Sequence, residues 1–157
     1  MLMQTAESSF SRGMAALEAG RGIEALALFE TAIEIEKRAG ASRPQPRYLS
    51  FYGVSLALVA NRPKMGLAFC REAATEEFYN PDVFLNLGRV LLEMNRRKDA
   101  YQAIAQGLRL QPGHPGLRRE LERMGRRRRP TLPFLPRGNP LNVLLGKLAR
   151  QAAAQQA

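Results

Sequence analysis

Apolar positions recur at helical spacing through most of the chain, and the clearest instance is PDVFLNLGRVLLEMNRRKDAYQAIAQGLRLQP, Pro81 to Pro112. Its first half places Phe84, Leu87, Gly88 and Leu91 at i, i+3, i+4 and i+7, which is one face of a helix. Asn80 followed by Pro81 reads as an N-cap and a proline in the first helical position. Asn95 and the charged run Arg96-Arg97-Lys98 interrupt the pattern and predict a turn. A second helical face then carries Ala100, Ile104, Gly107 and Leu108. The small residues Ala100 and Gly107 let two helix backbones come close. Pro112 ends the second helix, because proline cannot continue the hydrogen-bond ladder.

This unit resembles a tetratricopeptide repeat (TPR). The family pattern of large residue, Leu-Gly, large residue, then alanine, large residue, small residue and closing proline falls on Phe84, Leu87-Gly88, Leu91, Ala100, Ile104, Gly107 and Pro112. With the register set by that resemblance, two further units emerge. Ala6 to Ala39 supplies Gly13, Ala16, Ala25, Phe29 and Ala32, with Ser9 in the place of the opening large residue. Pro46 to Asn80 supplies Leu49, Tyr52-Gly53, Leu56, Gly66, Cys70 and Ala73, and needs one extra residue in its turn near Ala60 to Pro63. Gly40 to Gln45 joins these units as a longer loop or helix extension. PGLRRELERM, Pro115 to Met124, reads as an end cap: Leu117, Leu121 and Met124 form its apolar stripe. Arg118–Glu122 and Glu122–Arg126 are expected as i, i+4 pairs on its solvated face. The resemblance implies an all-α fold: an α-solenoid of three TPR helix pairs with a capping helix, seven helices with a concave face.

In that family the first helix of each repeat lines the groove. Carried over, the lining positions are Glu7, Phe10, Met14, Leu17 and Glu18 in the first unit. They are Arg47, Ser50, Val54, Ala57 and Leu58 in the second, and Asp82, Leu85, Arg89, Leu92 and Glu93 in the third. The expected partner-binding groove is Phe10, Met14, Leu17, Arg47, Val54, Leu58, Leu85, Arg89 and Leu92. An exposed apolar strip of this kind marks a binding surface for an extended or helical segment. The competing reading buries some of these residues between repeats or under the tail. Leu85→Glu is then expected to reduce partner capture while leaving helicity intact. One variant of the family grips a C-terminal carboxylate with lysine, asparagine and arginine. The positions for that clamp hold Phe10, Met14, Phe51, Asp82 and Asn86, of which only Asn86 has suitable chemistry, so the clamp is rejected.

Charge divides the chain. Residues 1–108 hold 13 Lys/Arg and 12 Asp/Glu; residues 109–157 hold 11 and two, so +9 of the net +10 lies in the C-terminal portion. The organisation expected is an array over 6–127, a basic proline-containing linker over 128–139, a short amphipathic helix over 140–151 and a disordered end over 152–157. Arg126, Arg127, Arg128, Arg129 and Arg137 make the basic tail, and Pro130, Pro133 and Pro136 favour extended backbone. Asn139-Pro140 repeats the N-cap signal, and Leu141, Leu144, Leu145 and Leu148 follow at i, i+3, i+4 and i+7. So short a helix is marginal alone and needs a surface: its own array, a partner protein, or an anionic membrane. Nucleic-acid binding, through contacts of the arginines with phosphates, is a further alternative, though only Phe134 offers stacking in the tail and no base-reading fold is present.

Chemistry is sparse. His114 is the single histidine and Cys70 the single cysteine, so neither an internal disulfide nor a cysteine-based zinc site is expected, and no cofactor or metal is implied. There is no phosphate-binding glycine loop. The first residues lack the pattern of a secretory signal, and a cytoplasmic location is the expectation. The reading is a non-enzymatic scaffold or adaptor whose partner is another protein. A secretion-type chaperone shielding an apolar segment is the narrower alternative. Partner identity and oligomeric state stay open.

Overall fold

The computed structural model describes residues 5–125 and Leu144. The described residues form seven helices and no strand: α1 (Ala6–Glu18), α2 (Gly22–Arg38), α3 (Pro46–Leu58), α4 (Pro63–Glu76), α5 (Pro81–Glu93), α6 (Arg97–Leu110) and α7 (Pro115–Met124). The chain divides into one unit spanning Met1–Met124 and another spanning Gly125–Ala157. The arginine run Arg126 to Arg129, Arg137, the proline-rich linker and Leu141, Leu145 and Leu148 lie outside the described residues. Of the expected tail helix only Leu144 is described, and it is helical and exposed. Among the described residues no helix is long and apolar enough to cross a membrane.

Local chemistry sets the helix starts. The Thr5 hydroxyl accepts the Ser8 N–H at 3.1 Å, and Ser8 Oγ accepts the Thr5 N–H in return, a reciprocal cap on α1. Asn80 Oδ1 accepts the Asp82 N–H at 3.0 Å, and Pro81 opens α5 as the sequence predicts. At α7 the cap is a histidine. His114 Nδ1 accepts the Leu117 N–H at 3.2 Å, so the ring proton sits on Nε2, which lies 3.0 Å from Asp82 Oδ1. One imidazole thereby ties the start of α7 to the start of α5.

The turns inside the pairs are equally specific. After α1, Gly20 takes φ 74° while the Arg21 N–H reaches the Ala16 carbonyl and the Gly20 N–H that of Leu17. After α5, Asn95 takes φ 58° with the same two bonds, Arg96 to Leu91 and Asn95 to Leu92. Both are Schellman endings. After α3 the left-handed residue is Asn61, and the closing bond runs from Arg62 to Leu56, one residue farther along. This is the extra residue anticipated for the second unit.

Each helix packs against its hairpin partner, and the pairs stack through α2 on α3, α4 on α5, and α6 on α7, with α3 also on α5. The repeat positions form the core: Ala16, Ala25, Phe29, Ala32, Leu49, Leu56, Cys70, Ala73, Phe84, Leu91, Ala100 and Ile104 are all buried. Tyr52 and Leu87, assigned to the same roles, are half-buried. Close approach is steric. A Cβ on Gly107 would sit 2.7 Å from Leu117 Cδ1, and one on Gly88 2.8 Å from Ile104 Cγ1. Both glycines stand where the next helix presses its side chains inward.

Candidate docking surface

The odd-numbered helices carry the residues expected to line a groove, and the structure sorts them by burial. Phe10, Val54 and Leu85 are core rather than surface. Phe10 is enclosed by aromatic rings, with centroids 4.8 Å from Tyr48, 5.4 Å from Phe51 and 5.5 Å from Phe29. Arg47 covers what remains, its guanidinium carbon 5.2 Å from the Phe10 centroid and 5.0 Å from that of Tyr48. Val54 packs with Val90 and Leu91 because α3 lies directly on α5, and Ala57 is buried with it. Leu85 packs with Ile104 and Leu117. A Cβ on Gly116 would lie 2.7 Å from Leu85 Cδ2, so the absent side chain lets α7 close over Leu85. The expectation that Leu85→Glu spares the fold is therefore corrected: the position is interior.

Met14, Leu17, Arg47, Arg89 and Leu92 are half-buried, and Leu58 is 52% exposed. Met14 and Leu17 rest against the aromatic cluster. Arg47 pairs with Glu7, whose carboxylate also accepts the Tyr48 hydroxyl at 2.8 Å. Burial raises the Tyr48 hydroxyl above its ordinary pKa, and the bond to Glu7 adds to the rise. On the same face, Ser50 is buried: its hydroxyl accepts from Asn86 Nδ2 at 3.1 Å. Asn86, the one clamp position with suitable chemistry, is thus engaged inside the core.

Leu58, Arg89 and Leu92 converge. Together with Glu93, Arg97, Glu120, Arg123 and Met124 they line a hollow of about 500 Å³. Four of these residues come from the start of α6 and the end of α7, which the groove positions alone did not supply. The least expected is Glu120. The cap helix reads as charged and solvated outside its leucine stripe, yet Glu120 is buried, sharing the inward face with Leu117. Its Oε1 accepts from Arg89 Nε at 3.0 Å and its Oε2 lies 3.3 Å from Arg123 Nη1. A buried carboxylate needs such partners, since isolated ionised groups are costly to desolvate. Nearby, Arg97 Nη2 donates to the Met124 carbonyl at 2.8 Å, satisfying the end of α7. Arg118 does not join Glu122: its Nε donates to the Pro112 carbonyl at 3.0 Å, pinning the loop before α7.

The two chemically distinctive residues are both engaged. Cys70 is fully buried, donating its thiol to the Ser50 carbonyl at 3.4 Å, and burial pushes its pKa up to about 12. At pH 8 only roughly one thiol in 10⁴ would be ionised, and the thiolate is the reactive form. Native protein at pH 8 is expected to consume no thiol reagent over minutes, and one equivalent in urea; rapid native labelling would contradict this burial. His114 serves its cap and Asp82. Among the described residues no three His, Cys, Asp or Glu side chains group as a metal site.

Comparison with known proteins finds no matching family model and no matching curated protein. Solved structures do match. The TPR domain of Arabidopsis OM64 superposes with a TM-score of 0.61 at 19% identity, covering 78% of this chain and 95% of that one. The first TPR of Spaghetti (RPAP3), solved bound to the HSP90 peptide SRMEEVD, gives 0.61 at 13% identity over 77% and 93%. The Sgt2 TPR domain from Aspergillus fumigatus gives 0.60 at 21% identity over 76% of each chain. Paired helices, glycines at the helix crossings and these superpositions together show a tetratricopeptide-repeat fold, all-α, in which the described residues make three helix pairs and a capping helix.

Proposed function

We propose that the chain is a non-enzymatic protein-interaction scaffold. It receives a helical or extended segment of another protein on the face shared by α3, α5 and α7. The observation that carries the reading is the hollow of about 500 Å³, where Leu58, Leu92 and Met124 leave apolar surface in contact with solvent. Half-exposed apolar side chains gathered in a concavity gain free energy from a guest that removes them from water, about 25 cal/mol for each Å² covered. Superposable TPR domains include one solved with a bound peptide, which supports a peptide as the kind of guest. The basic residues Arg126 to Arg129 and Arg137 are assigned a tuning role, attracting acidic partners from a distance.

Leu92→Glu tests the reading. The side chain is half-buried at the hollow, so the variant is expected to fold, with helicity and urea midpoint close to wild type. Binding of a guest segment should weaken roughly tenfold or more, because a carboxylate replaces apolar contact and must be desolvated. A folded Leu92→Glu protein that binds its partner as wild type does would remove the hollow from the function.

A further inference from the structure

The hollow is not uniformly apolar, and its polar groups select among guests. We infer that the segment it receives is acidic as well as apolar. Aliphatic side chains would lie on Leu58, Leu92 and Met124, and a carboxylate would be held by the guanidinium groups of Arg97 and Arg123. This rests on the proposed docking function and narrows it.

Three arginines and two carboxylates line the hollow, a net of +1. One of those carboxylates, Glu120, is buried and already engaged by Arg89 and Arg123. Only exposed Glu93 remains to repel an acid or attract a base. An arginine carries five N–H donors in a planar fork. The contacts seen use Nη2 of Arg97, on the Met124 carbonyl, and Nη1 of Arg123, on Glu120. The other donors of both forks need acceptors once a guest excludes water. A neutral apolar segment would bury those donors without partners, which is costly, and a lysine-bearing segment would meet a lining of net positive charge. A carboxylate satisfies them, bidentate in the favourable case. The site is also partly prepared, because Glu120 and the end of α7 restrain the two forks before a guest arrives, and restraint lowers the entropic cost of binding. It lies where the ends of α3 and α5 meet the start of α6 and the cap. The positions at Phe10, Met14, Phe51, Asp82 and Asn86 that a carboxylate clamp would use play no part in it.

The experiment uses the full chain and three fluorescein-labelled peptides of about nine residues. Each pairs leucines at helical spacing with glutamate, glutamine or lysine, and binding is read by fluorescence anisotropy. The leucine–glutamate peptide is expected to bind roughly tenfold tighter than the leucine–glutamine peptide, and the lysine peptide weakest. Arg97→Gln and Arg123→Gln should each reduce affinity about three- to tenfold, and Glu93→Gln should raise it. The Arg123 side chain is 71% exposed and Arg89 still pairs with Glu120 when it is replaced, so Arg123→Gln is expected to keep the fold, which circular dichroism checks for every variant. The arginine run beyond Gly125 also attracts acidic peptides, so Leu92→Glu locates the binding. Acidic-peptide binding that persists in Leu92→Glu and in Arg123→Gln would belong to that run and overturn the inference. Equal binding of the glutamate and glutamine peptides, both weakened by Leu92→Glu, would overturn the acidic guest yet keep the docking surface. Absence of any binding sensitive to Leu92→Glu would overturn both.

Discussion

Replacing Leu85 with glutamate is expected to abolish stable packing of α7 on α5, lowering stability by about 4 kcal/mol or more. Leu85 is buried between Ile104 and Leu117, with Gly116 of α7 directly above it. The substitution removes a buried aliphatic side chain, itself worth about 2–5 kcal/mol in a core. It also forces a carboxylate in among the aliphatic side chains of Ile104 and Leu117, where desolvation is costly. The expected observation is a urea transition shifted far below wild type, or a broadened one in which the last helix pair and cap lose structure first. Leu92→Glu, two turns along the same helix, is the internal comparison: it changes the same chemistry by the same step but should lower stability by about 1 kcal/mol or less, because its side chain is already half in solvent. Equal stability of the two variants would mean that α7 does not close over Leu85.

That contrast between Leu85 and Leu92 shows where sequence reasoning stops. Both are leucines on α5, seven residues apart, and both fall on expected groove positions. Helix boundaries were legible because they depend on local signals: Asn80-Pro81, the left-handed Asn95, the extra residue before Pro63. The core positions were legible because Ala25, Phe29, Cys70, Ala100 and Ile104 face their own hairpin partners at a fixed repeat register. The burial of Phe10, Val54 and Leu85 depends instead on how closely successive pairs approach, which is decided by distant residues. Gly116 admits Leu85 to the core; Tyr48 and Arg47 close over Phe10. Glu120 is the same case in charge. Its partner Arg89 lies 31 positions upstream, so no local pattern announced the pair. A signal was nonetheless present, since Glu120 stands three residues after Leu117, on the face that the leucine stripe turns inward. An acid on the inward face of a capping helix asks for a cation on the helix beneath it.

The second large effect runs against helix propensity. Gly66→Ala is expected to destabilise the array by about 1–3 kcal/mol, although glycine to alanine inside a helix is ordinarily favourable by roughly 0.5–1 kcal/mol. Gly66 occupies in the second pair the role that Ala25 and Ala100 fill in the first and third, so the substitution would bring the pair to the residue its neighbours carry. The geometry forbids it. A Cβ on Gly66 would collide with the Gly53 carbonyl oxygen and lie 3.1 Å from Ala57 Cβ; a Cβ on Gly53 would lie 2.7 Å from the Gly66 carbonyl oxygen. In the first pair the neighbour of Gly13 is the Phe29 ring, and in the third that of Gly88 is the Ile104 side chain, groups that can shift rotamer. Here the obstacle is backbone on both sides, so relief requires α3 and α4 to separate, which loosens Cys70 and Leu67 in the same cluster. The expected fall in melting temperature is on the order of 5–10 °C. Gly113→Ala in the loop before α7, where an added Cβ meets nothing within 4 Å, should leave the melting temperature unchanged or slightly raised. A Gly66→Ala protein as stable as wild type would mean that α3 and α4 do not cross glycine on glycine, and that the second pair is spaced like the other two.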